Sequence, residues 1–505
     1  MKKIISLKEV SKKVIELKKS GKKISLSHGV FDLLHPGHIF HFEQAKKNAD
    51  VLIISVTSDS NVMKGPGKPY FNEKIRTYTL ASLESVDYVV ISNQKSAVSV
   101  INKIKPNFYY KGSDYKKLNL DITGKIELEK KAVIKNGGKI IFTTGQVFSS
   151  SKIINKEFFF NEEQISFLTK LKKKYSSQKI LDYIDSLVVS TPLVIGETII
   201  DEYVFCKAIG KAGKEPYMVM QEKKSEKYLG GVLSIAQNLS ALTKKVNLLS
   251  ILGSKDNYRS KINNELNKNI VSKFINKKNS QTILKKRFIE EVDNTKLLGI
   301  YSVNEENLSR SEENLLIKLF NKLSKKSDLI ILSDYGHGFF NDKLRNQIFR
   351  NKKFLALNAQ INSFSMGYHS ITKYKKADLV LMNEQELRHE LRDKVSDRKN
   401  LIKKLGQQIK SKFITVTHGK TGATIYSTRS KEIFHVPAFA RKVLDKVGAG
   451  DALFPILSVC LSLKIPMDVG LFIASISAAI NSESHASKST LDKIYFKKYI
   501  EHSLK

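Results

Sequence analysis

Residues 24–41 read ISLSHGVFDLLHPGHIFH, and this stretch decides the fold expected for the N-terminal part of the chain. Its apolar start, Ile24–Leu26, is typical of a short buried strand, and a turn follows at Gly29. The segment His35–His38 then stands directly before a helical pattern. Because a helix N-terminus presents unpaired backbone N–H groups and a positive dipole end, this turn predicts a phosphate-binding site.

The residue types in this turn suit phosphate chemistry. Gly37 lets a phosphate approach the backbone closely. His35 and His38 can donate hydrogen bonds to phosphoryl oxygens as charge builds up in a transition state. The alternative is two ordinary surface histidines beside a turn, and the four residues alone do not decide between these interpretations.

The surrounding sequence alternates strand-like and helical runs. Helical stretches such as His38–Ala49 and Asn72–Ser85 separate the apolar runs, and an amphipathic helix is expected to precede them. The predicted strands are Ile24–Leu26, Val51–Thr57, Tyr88–Ile91, Phe108–Tyr110 and Lys139–Thr143. This alternation predicts an α/β domain with a doubly wound, Rossmann-like parallel sheet.

A second α/β block begins at Leu193 after a polar helical stretch. Its predicted strands are Leu193–Ile195, Val246–Ile251, Leu329–Leu332, Phe354–Leu357, Leu379–Met382 and Phe413–Thr417. We therefore expect an N-terminal domain over residues 1–155, a helical connector over 156–190 and one large α/β domain over 191–505.

The composition limits the classes of function. The 505 residues carry a formal net charge of +37, divided as +13 over residues 1–150 and +24 over the rest. Because this excess is diffuse, it favours a sequence-wide use of lysine at the surface over a nucleic-acid interface. Two cysteines and a charged N-terminus without an apolar core predict a protein of the cytoplasm, with no membrane partner.

The pattern G-x-F-D-x-x-H-x-G-H resembles the signature of the cytidylyltransferase-like nucleotidyltransferases. Later segments of the first domain resemble the same family, among them the lysine- and glycine-rich stretch 64–69, the segment 111–115 and the serine-rich stretch 148–154. The resemblance implies transfer of a nucleotidyl group to a sugar phosphate with release of pyrophosphate. It implies catalytic roles for His35, His38, Lys47 and Arg76. The nucleotide-binding residues that it implies are Gly29, Phe31, Asp32, Gly37, Lys64, Ser149, Ser150 and Ser151.

Within this family the nucleotide base is left open. Cytidylyltransferases of the family often have an arginine shortly before the serine-rich stretch. Residues 143–147 read TTGQV, without arginine. The resemblance therefore favours ATP over CTP, with Mg²⁺ accompanying the nucleotide.

Residues 445–452 read DKVGAGDA. A glycine-rich turn that opens a helix presents backbone N–H groups to a transferring phosphoryl group. Asp451, at the end of this turn, could take the proton from an attacking sugar hydroxyl. Taken alone, the segment is also compatible with a simple helix-capping turn.

Together with other segments, this motif resembles the ribokinase (PfkB) family of carbohydrate kinases, in the same motif order from about residue 193 to 500. The resemblance implies a ribokinase-like fold, ATP and Mg²⁺ as cofactors, and Asp451 as catalytic base. The sugar-binding residues that it implies are Asp201, Gly230, Gly231, Asn238 and Asp334. The residues that it implies for nucleotide are Asn383, Glu386, Thr417, Gly419, Gly422, Gly448, Ala449 and Gly450, with Glu386 also assigned to the metal.

Several positions depart from that family pattern. Glu197 stands where an aspartate is usual, and Gln360 stands where the family has the lysine of D-x-K. Lys446 and Val447 replace threonines, Pro455 enters the helix after the turn, and residues 481–485 replace a glycine-rich segment. An active kinase is favoured, and a kinase fold that binds sugar or nucleotide without transfer is the alternative.

The two resemblances together are similar to the bifunctional heptose kinase/adenylyltransferases of ADP-heptose synthesis, with the order of the domains reversed. They imply small-molecule partners, namely a nucleoside triphosphate and a sugar phosphate, and no nucleic acid. A homo-oligomer is compatible with the sequence. A nucleic-acid-binding scaffold remains the rival hypothesis from another class of function.

Overall fold

The computed structural model describes residues 3–63, 68–112, 125–143, 160–292, 294–304, 306–362, 365–483 and 491–504. The chain divides into two compact units, one of residues 1–161 with 494–505 and one of residues 162–493. Both units are α/β, which confirms the predicted fold class. The domain boundaries expected near residues 155 and 190 stay predictions. Within the described residues no helix is both long and apolar enough to cross a membrane.

The first unit contains a five-stranded parallel sheet. Its strands are β1 (Ile24–Gly29), β2 (Val51–Thr57), β3 (Tyr88–Ser92), β4 (Phe108–Lys111) and β5 (Lys139–Phe142), in the order β3-β2-β1-β4-β5. Strands such as β2, which are buried along their whole length and mostly apolar, are typical of parallel sheets covered on both faces. The strand order reverses between β1 and β4, and ligands of such sheets bind beyond the carboxyl ends of the strands at this point.

Helices cover this sheet. They are α1 (Leu7–Lys19), α2 (Pro36–Lys47), α3 (Glu73–Ala81), α4 (Val98–Ile104) and α5 (Lys125–Lys135). The predicted amphipathic leading helix is α1, which begins with a capping box of Ser6 and Glu9 and buries Val10 and Val14. Two apolar clusters, one on each set of covering helices, form the core of this unit.

The second unit is built on a nine-stranded sheet in the order β10-β9-β6-β13-β14-β15-β16-β17-β18. Its strands are β6 (Leu193–Gly196), β9 (Val246–Gly253), β10 (Ile270–Lys277), β13 (Leu329–Asp334), β14 (Phe354–Ala359), β15 (Lys376–Asn383), β16 (Lys410–Thr417), β17 (Ala423–Ser427) and β18 (Ile433–Val436). The strands pair in parallel as far as β16, and β17 and β18 pair antiparallel. All six strands predicted from the sequence lie in this sheet.

A second, four-stranded sheet belongs to the same unit. It consists of β7 (Thr198–Lys211), β8 (Met218–Gly231), β11 (Ile283–Glu290) and β12 (Lys296–Ser302), in the order β12-β11-β7-β8. The sequence did not predict these strands. Because β7 follows β6 after a single residue, the two sheets meet at residues 196–198, close to the carboxyl end of β6.

Helices complete the second unit. They are α6 (Glu162–Lys174), α7 (Ser177–Ser186), α8 (Val232–Ser240), α9 (Tyr258–Glu265), α10 (Arg310–Lys325), α11 (Asp342–Arg350), α12 (Glu384–Leu391), α13 (Arg398–Gln408), α14 (Ala449–Ser462) and α15 (Met467–Ser482). The stretch predicted to be helical after residue 156 contains α6 and α7. The last helix, α16 (Lys493–Ser503), lies almost wholly in the first unit.

Candidate active sites

The histidine turn of the first unit lies between β1 and α2. His35 caps α2 with an extended backbone, and Pro36 occupies the first helical turn, where its missing N–H costs no hydrogen bond. The rings of His35 and His38 stack with their centroids 3.9 Å apart and an angle of 18° between the planes. The turn therefore brings both predicted histidines, with Gly37 between them, to the N-terminus of α2 at the switch point of the sheet.

Gly29 and Phe31 shape this turn. Phe31 has a backbone φ of 50°, in the left-handed region that side chains rarely adopt. Its buried ring meets His38 edge-on at 5.6 Å and Phe42 at 5.2 Å. A Cβ atom at Gly29 would stand 2.9 Å from that ring, so only glycine fits there. The structure thus places these two residues as supports of the histidine pair.

Asp32 and Arg76 bind neighbouring segments of the chain. The carboxylate of Asp32 accepts the backbone N–H groups of Tyr70 and Phe71 at 2.7 and 2.9 Å. The fully buried guanidinium of Arg76 donates to the carbonyls of Phe71, Val30 and Thr57. It also pairs with Asp59 at 2.6 Å. Both groups therefore bind neighbouring segments of the chain in this structure, and the catalytic role of Arg76 and the nucleotide contact of Asp32 stay predictions.

Lys47 does not reach the histidines. It is the last residue of α2 and is exposed, whereas the histidine pair lies at the first turn of the same helix. A helix of this length separates its ends by about 16 Å at 1.5 Å per residue. The predicted catalytic role of Lys47 stays a prediction. The predicted residues Lys64, Ser149, Ser150 and Ser151 lie outside the described residues.

Two further groups lie beside the histidine turn, namely His41, which the sequence reasoning missed, and Lys111, which begins the segment 111–115 that resembles the family. His41, one helical turn after His38, lies 3.0 Å from the Ser27 hydroxyl and 3.1 Å from that of Thr143. Burial, with a smaller effect of the Lys111 charge, lowers the pKa of His41 to about 4, so its ring stays neutral. Its position three residues after His38, on the same helix face, was the available signal.

Lys111 forms a buried ion pair at the end of β4. Its Nζ lies 3.0 Å from Glu129 Oε2, and Glu129 also accepts the Tyr109 hydroxyl at 2.9 Å. Burial alone would raise the pKa of Glu129, but the charges of Lys111 and His28 and the hydrogen bonds from Lys111 and the Ala97 backbone together outweigh burial and leave it below its ordinary value. This pair anchors the strand end that leads into residues 112–115.

The glycine-rich turn of the second unit opens α14. Gly448 caps the helix with a φ of 82°, which favours glycine. The half-buried Asp451 follows in the first turn and accepts the Tyr335 hydroxyl at 3.3 Å and the Gln360 amide at 3.1 Å. Burial, reinforced by the negative charge of Asp201, raises the pKa of Asp451 to about 7. Such a carboxyl can exchange a proton near neutral pH.

The interior of α14 accommodates the unusual proline. Pro455 is buried inside the helix, which continues to Ser462. Its ring nitrogen carries no hydrogen, so the backbone carbonyl of Asp451, four residues earlier, receives no helical N–H from this position. The departure from the family pattern thus alters the backbone at the proposed base without ending the helix.

Three of the predicted sugar-binding residues meet where the two sheets join. Asp201 on β7 pairs with Arg287 on β11 at 2.5 Å. A Cβ atom at Gly230 would stand 2.0 Å from the Asp201 carboxylate, and one at Gly231 would stand 2.7 Å from the Glu197 carbonyl. Both glycines are therefore required by close packing.

The other two predicted sugar-binding residues differ in setting. Asn238 is buried on α8, the helix that begins after Gly231. Asp334 is buried, and its carboxylate accepts the Tyr374 hydroxyl at 2.6 Å and pairs with Lys373 at 2.7 Å. Asp334 thus takes part in an internal ion pair, and its predicted contact with sugar stays a prediction.

Glu197, which replaces the usual aspartate, is fully buried beside Asp334. It accepts the backbone N–H groups of Tyr335 at 3.1 Å and His337 at 3.2 Å. Burial and the negative charge of Asp334 raise the pKa of Glu197 to about 8. The residue thus holds the segment after β13 in place and does so mainly in its neutral form at pH 7.

The predicted nucleotide residues collect at the ends of β15 and β16. Asn383 and Thr417 are neighbours across the two strands. Asn383 and Glu386 form the capping box of α12, and burial raises the pKa of Glu386 to about 7. Gly422 has a φ of 99°, and a Cβ atom there would stand 2.1 Å from the Val436 carbonyl.

The segment between Thr417 and Gly422 contains a further polar side chain, His418, and burial lowers its pKa to about 4. Gly419 has a φ of 60°. His418 Nδ1 lies 3.2 Å from Glu384, which also pairs with Arg398 at 2.8 Å. Sequence order alone gave no sign of this contact, because Glu384 and His418 come from different elements.

Lys285 is a site residue that the sequence reasoning missed. It lies on β11 opposite Asp201, and its Nζ is 5.9 Å from the centre of the Tyr335 ring. Burial lowers the pKa of Lys285, and the charges of Asp201 and Asp451 oppose that shift. Across the part of the chain that the structure describes, no three His, Cys, Asp or Glu side chains cluster as a metal site.

Comparison with known families gives two matches. Residues 191–493 match the model of the pfkB family carbohydrate kinases, and residues 26–180 match the cytidylyltransferase-like model. These matches confirm both resemblances inferred from the motifs.

Comparison with curated proteins finds relatives named "Bifunctional protein HldE". The chain is 41% identical to the one from Aliarcobacter butzleri (strain RM4018) over 132 residues, which are 25% of this chain and 28% of that protein. It is 28% identical to the one from Campylobacter jejuni (strain RM1221) over 292 residues, 57% of this chain and 60% of that protein. The chain therefore spans less than two thirds of the length of these relatives.

Comparison with solved structures supports the fold of the second unit. The structure of phosphofructokinase-2 from Escherichia coli aligns with a TM-score of 0.50 and 13% sequence identity. The alignment covers 63% of this chain and the whole of that chain. At this identity the likeness shows a shared fold alone.

Proposed function

The chain belongs to the pfkB family of carbohydrate kinases, and on this premise we propose that it is a bifunctional cytoplasmic enzyme of nucleotide-sugar synthesis. The second unit phosphorylates a sugar or sugar phosphate, heptose-like in kind, from ATP. The first unit transfers a nucleotidyl group, with ATP favoured over CTP, to a sugar-1-phosphate. The observation that carries the proposal is Asp451, a carboxyl with a pKa near 7 at the glycine-rich start of α14.

In the kinase step, Asp451 is the base. A sugar hydroxyl attacks the γ-phosphorus of ATP, its proton passes to the Asp451 carboxylate, and the bond between the γ-phosphorus and the ADP oxygen breaks. The backbone N–H groups at the start of α14 receive the charge of the transferring group. Asp201 lies within electrostatic range of Asp451, a placement that suits a residue orienting the sugar.

In the transferase step, the first unit supplies position and positive charge. A phosphate oxygen of the sugar-1-phosphate attacks the α-phosphorus of the nucleotide, and pyrophosphate leaves. His35 and His38 donate hydrogen bonds to phosphoryl oxygens at the N-terminus of α2. The stacking of the two rings and the edge-on contact of His38 with Phe31 fix both histidines in position for this role.

Mg²⁺ fits the nucleotide side of the kinase unit. Glu386 is a buried carboxyl whose oxygens accept the neutral backbone N–H groups of Asn383 and Ile361. A hard cation suits such an oxygen donor, and Mg²⁺ typically uses few protein carboxylates together with phosphates and water. The ion would neutralise phosphate charge. Glu386 would bind the ion through its carboxylate, and the positive charge of the ion would keep that carboxylate ionised.

The alternative is an active nucleotidyltransferase with a kinase fold that binds without transfer. The observation in its favour is Gln360, a neutral amide on Asp451 where the family has a lysine in its D-x-K segment. We place this second because Asp451 and the glycine-rich turn are retained with the geometry that base catalysis needs.

A paired assay of the full-length protein tests both activities. Pyrophosphate release is measured with ATP and CTP against a panel of sugar-1-phosphates, and labelled phosphate transfer from ATP is measured with sugars and sugar phosphates. His38→Ala is expected to lower pyrophosphate release by about 100-fold or more and to leave the kinase rate unchanged. Asp451→Asn is expected to lower the kinase rate by about 100-fold or more and to leave pyrophosphate release unchanged.

Each variant serves as the control for the other. Sugar phosphorylation that is unaffected by Asp451→Asn would refute the kinase assignment. Pyrophosphate release without any kinase activity of the wild type would support the alternative. Strong, salt-sensitive binding to duplex DNA, with neither activity, would favour the nucleic-acid scaffold.

A further inference from the structure

Asp445 connects the four-stranded sheet to the glycine-rich turn. It lies three residues before Gly448 and is buried. One carboxylate oxygen accepts Lys296 Nζ at 2.6 Å and the backbone N–H of Val447 at 3.0 Å. The other accepts the Tyr203 hydroxyl at 2.9 Å. We call Tyr203, Lys296 and Asp445 the Asp445 latch.

The two donor side chains come from different strands of one sheet. Tyr203 lies on β7 and Lys296 is the first residue of β12, so β11 lies between them. Lys296 belongs to none of the motifs that point to the kinase family, and Tyr203 lies two residues after the motif aspartate Asp201. Two strands of this sheet are thus bound to a single carboxylate, and that carboxylate belongs to the segment that leads directly to Asp451.

The latch continues into the proposed sugar site. The Arg287 guanidinium lies 5.6 Å from the centre of the Tyr203 ring and pairs with Asp201. Asp201 and Lys285 stand on the same sheet, opposite each other across β7 and β11. A shift of this sheet away from Asp445 would therefore carry these two residues away from Asp451.

The ion pair with Lys296 is large enough to affect the charge and the position of the Asp445 carboxylate. Burial would raise the pKa of Asp445, but Lys296, the Val447 backbone N–H and the Tyr203 hydroxyl together outweigh burial and leave it below its ordinary value, so the carboxylate is charged. Removing one partner of a buried pair leaves an uncompensated charge. Lys296 is partly exposed, and solvent screening moderates this effect.

We propose that Tyr203, Lys296 and Asp445 are positioning residues, which fasten the four-stranded sheet to the glycine-rich turn so that Asp201 and Lys285 stay opposite Asp451 during phosphoryl transfer. The inference rests on the proposed kinase function. Because misplacement of about 1 Å can slow a reaction strongly, loosening the latch acts on the rate of transfer. The latch does not involve the proposed ATP contacts at the ends of β15 and β16.

Lys296→Met tests the latch, with Lys286→Met as the matched control. Lys286 lies on β11 of the same sheet and faces Glu202 at 3.5 Å, away from the turn. Lys296→Met is expected to lower kcat for sugar phosphorylation about tenfold or more, with KM for ATP changed less than about twofold. Lys296→Arg is expected to restore most of the rate, and Lys286→Met to match the wild type.

A second measurement needs no sugar substrate. Backbone amides of residues 446–450 are expected to exchange hydrogen faster in Lys296→Met than in the wild type, as followed by mass spectrometry, and to be unchanged in Lys286→Met. Tyr203→Phe is expected to have a smaller effect in the same direction.

The outcomes separate the latch from the kinase assignment. A wild type that phosphorylates no sugar refutes the proposed function, and the exchange measurement then decides on the latch alone. An active wild type with kcat unchanged in Lys296→Met overturns the latch, even if Tm falls. Equal effects of Lys296→Met and Lys286→Met overturn it as well.

Discussion

The guanidinium of Arg76 is an internal hydrogen-bond centre of the first unit. It joins the segment after β1 to β2, to the segment before α3 and to Asp59. Arg76→Met would leave these acceptors buried without a donor. We expect the free energy of unfolding of this unit to fall by about 3 kcal/mol, as measured by urea unfolding followed by circular dichroism.

The control for Arg76 is a neighbouring exposed residue. Lys74 lies in the same helix and is exposed, so Lys74→Met is expected to leave the stability within about 0.5 kcal/mol of the wild type. An Arg76→Met protein of unchanged stability that has lost pyrophosphate release would instead return Arg76 to the reacting groups.

Asp451 gives the kinase a defined pH dependence. The base must be charged to accept a proton, and burial with the nearby charge of Asp201 places its pKa at about 7. The rate of sugar phosphorylation is therefore expected to fall about tenfold for each pH unit below that value. The measurement is kcat/KM for the sugar at saturating ATP across this range.

Asp201→Asn provides the internal check on this pH dependence. Removing the neighbouring negative charge makes ionisation of Asp451 easier, so the midpoint of the profile should move to lower pH even where the overall rate is reduced. A rate that stays constant from about pH 8 down to about pH 5 would contradict Asp451 as the titrating base.

At the scale of elements, two glycines at the start of α14 are needed for different reasons. Gly448 needs glycine because of its φ of 82°. Gly450 has no positive φ, and a Cβ atom there would meet nothing within 4 Å. Gly450→Ala therefore has no structural cost in the free protein, and any loss of activity would report a phosphoryl group that approaches this position.

We expect Gly450→Ala to keep the wild-type Tm and to lose about tenfold or more in kcat. Gly448→Ala is expected to lower both Tm and kcat, because alanine is strained at that φ. Thermal unfolding and the sugar phosphorylation assay distinguish the two. Full kinase activity of Gly450→Ala would exclude close approach of phosphate at Gly450.

The buried parallel strands are the elements that the sequence predicts best. Runs such as Val51–Thr57 and Leu329–Leu332 are mostly apolar and fully buried, because helices cover both faces of their sheets. The four-stranded sheet escaped detection because its strands are interrupted by runs of charged residues, as by Lys285–Arg287 within Ile283–Glu290, or are long and largely polar, as in Met218–Gly231. Such patterns are also typical of surface loops and helices.

The residues of the candidate sites also divide into those that the local sequence predicts and those that it does not. Local motifs placed His35, His38 and Asp451 at helix starts, because a turn and its helix are contiguous in sequence. Roles that depend on distant partners were not readable. Arg76 is enclosed by groups up to 46 residues away, and Lys296 meets Asp445 across 149 residues. A motif gives the residue type at a position, whereas its partners follow only from the tertiary fold.

At the scale of the whole molecule, the charge of +37 has a kinetic consequence. Both proposed reactions use anionic substrates, and a positive field accelerates their encounter without changing the chemical step. We expect kcat/KM for ATP to fall several-fold between about 50 and about 300 mM potassium chloride, with kcat constant. The expected fall is the same in both activities, because the charge is spread along the chain.

Steady-state kinetics at matched Mg²⁺ would measure this fall in kcat/KM, with a neutral osmolyte as the control for viscosity. A kcat/KM that does not respond to salt would mean that the excess lysine is compositional and plays no part in gathering substrate.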